Sequence, residues 1–345
     1  MAEPENIRMG VTHLVIPRRQ AGMDSGAEIA NRLRQIIGDV MTQSEGETRR
    51  RRVQAEEYIF QQVRIGNVPD FMRPENYQSI TFERTIDGRK VKATVRICPD
   101  YLAIGSNDDH ILVPLSAPVA QRIADNFGLA LPTTLIVDAL DAEAKRTGGY
   151  IGFYAAPKLA EGATNSRTGR PVVEGEGGQR WNFQRQGGYE GRWMLSAEFI
   201  IEQNRLITEA RARAGNPQGI RSGHKKDVIY DPFNYIRSNE GSGQCVVIYH
   251  RPVQGLSYTH DVSYPGDYSH GIRFLDSNVS LEITERDGRV TRDTRSFASV
   301  LNDVDLYRVI SLGRVDASRV YRNQPIPLHA PPPRPTAQNR EAQRH

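Results

Sequence analysis

Two cysteines, Cys98 and Cys245, are all that 345 residues contain. That excludes a disulfide framework and a Cys-x-x-Cys metal knuckle, and leaves a single Cys98–Cys245 pairing open. Long hydrophobic runs are missing too. Stretches such as TLIVDAL and CVVIYH end far short of the ~20 residues a bilayer requires, so no membrane span is expected. Lysine is scarce, six among 45 basic residues, and against 41 acidic residues the formal net charge is only +4. This balance gives no electrostatic case for a nucleic-acid partner. The opening MAEPENIRMGVTHLVIPRRQ lacks the basic, apolar and small-residue regions of a secretory signal, so the chain as written is expected in the cytoplasm.

Periodicity supplies the fold class. Ile29, Leu33, Ile36 and Ile37 share one helical face in a polar N-terminal region. Four arginines, Arg49 to Arg52, then lead into a second helical pattern that ends at Gly66-Asn67, and the run reads as a solvated helix start. From Tyr77 apolar and polar residues alternate on either side of Asp87-Gly88, the composition of a tight hairpin turn. Ser116 with Pro118, and then Pro132 with Thr133, open two short helices closed by glycines. Residues 148 to 192 are glycine-rich and aperiodic, a long loop carrying Trp181 and beside Trp193. Ser196 caps a further helix that delivers the chain to IRSGHKKD, after which β-rich runs resume.

The expected architecture is therefore α+β: mainly antiparallel strands with peripheral helices in a single large unit. Residues 1–54 form an N-terminal arm with the amphipathic helix. Residues 55–325 form the catalytic or binding unit, with a candidate subdivision near 150. Residues 326–345 form a disordered Pro-rich tail.

Four of the eight histidines, His224, His250, His260 and His270, lie within 47 residues. Asp227, Asp231, Asp261 and Asp267 stand close by. One reading needs no metal: His224, Lys225 and Asp227 on one turn, facing His260 and His270, make a general acid–base site in which a lysine steadies an oxyanion. Ser269 and Cys245 are its candidate nucleophiles. A second reading has these residues capping strands and satisfying one another, or binding a peptide or glycan without catalysis.

A third reading comes from resemblance. SGHKKDVIYD has the spacing Ser-x-His-x6-Asp and resembles the first metal motif of zinc peptidases that cut D-Ala-containing peptidoglycan crosslinks, over about ten residues. Those enzymes ordinarily carry Gly where Asp227 stands. The resemblance implies zinc held by His224, Asp231 and His270, with His260 as proton carrier.

The segments GNVPDFMR, CPDYLAIGSNDD, VPLSAPVAQRIADNFGLALPT, GHKKDV, VIYH, PVQGLSYTH and DYSHGIRF resemble, in order, the signature of a family of uncharacterised bacterial proteins, many of them secreted. That resemblance implies an extracellular location and one unit joining the first region to the histidine region. It implies no activity. The functional expectation is a hydrolase of a peptide-like or cell-wall substrate working through a histidine-rich cleft, with zinc as candidate cofactor. The competing expectation is a peptide- or glycan-binding protein of the same fold; the oligomeric state is left open.

Overall fold

The computed structural model describes residues 14–40, 42–152, 194–215, 218–229 and 265–311, together with the backbone of two strands at 245–250 and 254–261. The N-terminal region forms α1 (Gly26–Ile37) and α2 (Glu45–Arg64). Ser25 and Glu28 exchange hydrogen bonds with each other's backbone in a capping box that starts α1. Its stripe of Ile29, Leu33 and Ile37 is fully buried, in a cluster with Ile59 and Val63 of α2. The expected boundary at residue 54 thus falls inside α2, and the amphipathic helix is docked because its apolar face has a core to cover. The arginine run divides. Arg49, Arg50 and Arg51 pair with Glu45 and Glu47 on the outer face of α2, as a solvated start predicts, whereas Arg52 turns inward and is 0 % exposed.

Strands β1 (Gln78–Ile86) and β2 (Arg89–Ile97) meet at Asp87-Gly88, whose φ values of 49 and 78 make the expected hairpin turn. Next come a small hairpin, β3 (Ala103–Gly105) with β4 (His110–Leu112), then α3 (Ala117–Phe127), β5 (Leu129–Ala130) and α4 (Thr134–Thr147). Gly128 and Gly148 end the two helices in the left-handed conformation that the sequence expects of them. Helix α5 (Ala197–Arg213) begins at Ser196, whose hydroxyl accepts from Phe199 N. The chain continues through β6 (Lys226–Val228), β7 (Cys245–His250), β8 (Gln254–Asp261), β9 (His270–Gly271), β10 (Leu275–Thr284), β11 (Val290–Ser296), α6 (Phe297–Asn302) and α7 (Val304–Ile310).

Two main sheets result. The first has the order β1-β2-β10-β11 with β5 beside β10, antiparallel throughout. Val91, Ala93, Val95 and Ile97 point from β2 onto Ile136 and Leu140 of α4 and onto Phe297 and Leu306 of α6 and α7. The second has the order β8-β7-β6-β9, and its β6–β9 pair is parallel. A separate core cluster joins α1, α2, α3 and α5, drawing on residues from Ile16 to Phe274. Full burial of one such aliphatic side chain contributes about 1.5–3 kcal/mol, so these two clusters hold the sheets and helices together. Tyr150 bridges to Ser222, and Ile151 N donates to Ser222 O at 2.8 Å.

The described residues thus form an α+β structure with mainly antiparallel strands. Most of the glycine-rich loop and the whole Pro-rich tail lie outside them. Among them, no helix is long and apolar enough to cross a membrane.

Candidate functional site

The first sheet hands its chain to the second at one seam. Beyond β2, Cys98 N donates to Phe274 O at 2.9 Å and Leu102 N to Ile272 O at 2.7 Å, so Cys98–Leu102 lies against the strand leaving β9. On the far side of β9 runs β6, with Lys226 opposite His270 and Asp227 opposite Gly271. Neighbours across a parallel pair share a face, and successive residues alternate. Lys226 and His270 therefore occupy one face, and Lys225, Asp227 and Gly271 the other. Gly271 is required there: a Cβ would lie 2.6 Å from Tyr101 Cδ1 and 2.7 Å from Lys225 Cβ.

The Lys225 face is a dry ionic lattice. Lys225 is 0 % exposed, and its ammonium donates to Gln203 Oε1 at 2.6 Å and Tyr268 O at 2.9 Å, tying α5 to the leader of β9. Burial, only partly offset by Asp267, brings its pKa down to about 7. Asp227 Oδ2 accepts from Tyr101 OH at 2.8 Å, and its Oδ1 lies 3.6 Å from Arg273 Nε. Burial pushes its carboxyl up to about 7 even though Arg273 opposes the shift. Arg273 itself donates to Cys98 O at 3.0 Å and Arg221 O at 2.6 Å, and its guanidinium stacks 4.3 Å from the Tyr101 ring centre.

Asp100 gathers the remaining cations. Its Oδ2 accepts from Arg211 at 2.5 Å and Arg221 at 3.0 Å, and its Oδ1 lies 3.2 Å from His224 Nε2. Burial disfavours its charge, but Arg211, His224 and Arg221 together hold the carboxyl well below the usual carboxylate range. His224 is fully buried, and desolvation lowers its pKa to about 4, so its ring is neutral near pH 7.

The other face carries a smaller pair. His270 Nε2 lies 3.4 Å from Asp267 Oδ2, and Asp267 Oδ1 accepts from Ser269 N at 2.7 Å and Ser269 Oγ at 2.5 Å. Burial alone would raise Asp267, yet His270, Lys226 and Ser269 bring it down to about 2. Lys226 is partly exposed. This face therefore holds a charged carboxylate, an imidazole 3.4 Å from it and a partly solvated cation.

The expected site residues are thus sorted rather than gathered. Lys225, Asp227 and His224 belong to the lattice, and His270 to the opposite face. His260 lies on β8, opposite Val246 of β7, and the order β8-β7-β6-β9 sets it three strand spacings, roughly 14 Å, from β9. Its side chain, the Cys245 side chain and Asp231 fall outside the described residues. Among the described residues no three histidines, cysteines or carboxylates are grouped to hold a metal. His224 is unsuited to it as placed. Its Nε2 faces a guanidinium nitrogen of Arg211 at 3.1 Å, and its Nδ1 lies 3.4 Å from Ser222 O. Ser269 Oγ donates to a carboxylate and not to an imidazole, so no serine–histidine nucleophile forms among the described residues, and Cys98 is a free, buried thiol that burial pushes up to about 12.

Sequence reasoning missed Asp100, Tyr101 and Arg273. The first two stand in CPDYLAIGS and the third in DYSHGIRF, both segments of the family-like pattern. Arg52 and Gln203, hidden in ordinary helical periodicity, gave no signal. The chain matches no family model, and no curated protein or solved structure matches it.

A pH prediction follows from Asp227. A carboxyl raised from 3.8 to about 7 in the folded state leaves stability complete below pH 3.8 and erodes it as pH climbs towards 7. Asp227→Asn has no such loss. Its melting temperature relative to wild type should therefore rise between pH 4 and pH 7.5, read by calorimetry at both values; a difference that shrinks would refute the assignment.

Proposed function

We propose that the chain is a hydrolase of peptide-like, cell-wall-type substrates that works by general acid–base catalysis at the Asp267–His270 pair. The observation carrying this reading is the pairing of His270 with a buried, charged Asp267 on the face where Lys226 reaches partly exposed surroundings. A carboxylate that holds an imidazole in one orientation and supports its positive charge equips it to take a proton from water as that water attacks an amide carbonyl. The proton then passes from the imidazolium to the leaving amine. Lys226, in register with His270, supplies positive charge for the oxyanion that forms between those steps. Lys225 and Asp227 act behind it, fixing β6 against β9, so they are positioning residues in this scheme.

Zinc carried by His224, Asp231 and His270 is the rival form of the same hydrolase. The test is an assay of purified protein on peptidoglycan fragments and on peptide and ester libraries, beside elemental analysis. The proposal expects amide hydrolysis that persists at substoichiometric zinc. Hydrolysis strictly proportional to bound zinc would overturn the metal-free mechanism. Tight binding of the same fragments without turnover would replace the hydrolase with a binding protein.

A further inference from the structure

The first sheet is left with an open edge. In the order β1-β2-β10-β11, strand β11 has β10 on one side and, among the described residues, no strand on the other. It pairs with β10 along its whole length without a register shift, and every one of its residues is exposed or half-buried. A straight edge strand presents a row of unused backbone donors and acceptors, which folded proteins ordinarily blunt with a proline, a bulge or a lysine. Between Val290 and Ser296 there is none of these.

The charges of β11 are Arg292, Asp293 and Arg295. Alternation puts Arg292 on the outer face of the sheet, 2.9 Å from Glu282, and Asp293 with Arg295 on the face that carries α6 and α7. Those two pair at 2.8 Å, and Arg295 also lies 3.2 Å from Asp303 at the start of α7. Their side chains are 43 % and 37 % exposed, so a second chain can reach both. Two copies meeting edge to edge about a two-fold axis through the sheet keep each face on its own side, so only residues of one face come opposite. Centring that axis on Arg292, Asp293 or Arg295 sets like charges against each other. Centring it on Thr294 sets Asp293 against Arg295 of the second copy, and Arg295 against its Asp293. Nearer either end of β11, neither has a strand residue opposite. The other edge, β1, offers no such register, because Glu83 and Arg84 are adjacent and point to opposite faces.

We propose that β11 pairs with β11 of a second copy of the chain, antiparallel and centred on Thr294, joining the two first sheets into one. The outer face agrees with that register. Thr81, Thr94, Ser280 and Thr294 lie opposite one another across the four strands, so the join continues one row of hydroxyls from copy to copy. Arg292 meets Ser296 of the second copy and no like charge. Cross-strand pairs of opposite charge are each worth about 0.2–1 kcal/mol, and the two-fold axis supplies two of them. The shared strip is one strand wide, short of the roughly 1,000 Å² of a stable interface, so the dimer is weak and forms with concentration.

Sedimentation velocity on the full chain at low salt, from about 1 μM to about 1 mM, tests this. Wild type should pass from monomer to dimer and stop there, because a two-fold contact uses up the edge. Asp293→Arg and Arg295→Asp each turn both cross-axis pairs into like charges, so each should weaken self-association roughly tenfold or more. An equimolar mixture of the two variants should dimerise again, since every carboxylate then faces a guanidinium. A melting curve on each variant confirms that it is folded. Should either fail to fold, Thr294→Glu decides instead: it sets two carboxylates together at the axis, leaves both ion pairs in place and should abolish the dimer. A wild type that stays monomeric throughout, variants that associate as wild type does, or a mixture no stronger than its components would overturn the inference. Growth beyond the dimer would overturn it too, because pairing of β11 with β1 of the next copy leaves an edge free at each end.

Discussion

Arg273→Met should cost about 3–5 kcal/mol of stability, the scale for breaking a buried ion pair by removing one partner. Methionine fills much of the volume but returns none of the bonds. Cys98 O and Arg221 O lose their donors, and Asp227 loses the cation 3.6 Å from its Oδ1. The seam between β2 and β9 is the part that loosens, because Arg273 ties the chain leaving β2 to Arg221, just ahead of β6. Against a typical total of about 5–15 kcal/mol this is a large share, and the melting temperature should fall by roughly 10 °C. Asp227→Asn in the same background should change the melt near pH 7 little further, since without Arg273 burial keeps that carboxyl protonated. A melt unchanged by Arg273→Met would mean that the lattice is not what holds the seam.

Glu56→Ala should be comparably severe. The substitution leaves the amide groups of Ser116 and Gly266 and the Ser116 hydroxyl without their acceptor, and it removes the carboxylate nearest in effect to Arg52. Each buried donor left unsatisfied costs about 1–3 kcal/mol, and the uncompensated guanidinium adds to that. Chemical denaturation should place the loss at about 3 kcal/mol or more. Glu56→Gln, which keeps an acceptor, should lose clearly less; equal losses would show that helix packing and not this clamp is at stake.

Local patterns were legible wherever a short-range signal decided the structure. Asp87-Gly88 forced its turn through positive φ, Ser25 with Glu28 marked a helix start, and Gly128 and Gly148 marked two ends. Alternation in β2 revealed which residues face α4. The site was only half legible. GHKKD and DYSHGIR do lie side by side as β6 and β9, but their register, which decides that Lys226 and not Lys225 shares a face with His270, is a long-range pairing that no local spacing encodes. Arg52 was hidden for a similar reason. Inside a run of four arginines its inward direction depends on what α2 packs against, and composition alone favours the solvated outcome that its three neighbours adopt.

The central claim is that one face of the β6–β9 pair performs chemistry while the other holds the fold. His270→Ala tests it most directly, with turnover on a cleaved peptidoglycan fragment measured beside a melting curve on the same preparation. Asp267 keeps both of its Ser269 hydrogen bonds in that variant. The account predicts a lower melt, because Asp267 loses a buried partner, and turnover per folded molecule reduced by about a hundredfold or more, the scale of losing an acid–base group. Turnover that persists in the folded variant, or that falls only as far as the folded fraction falls, would contradict it.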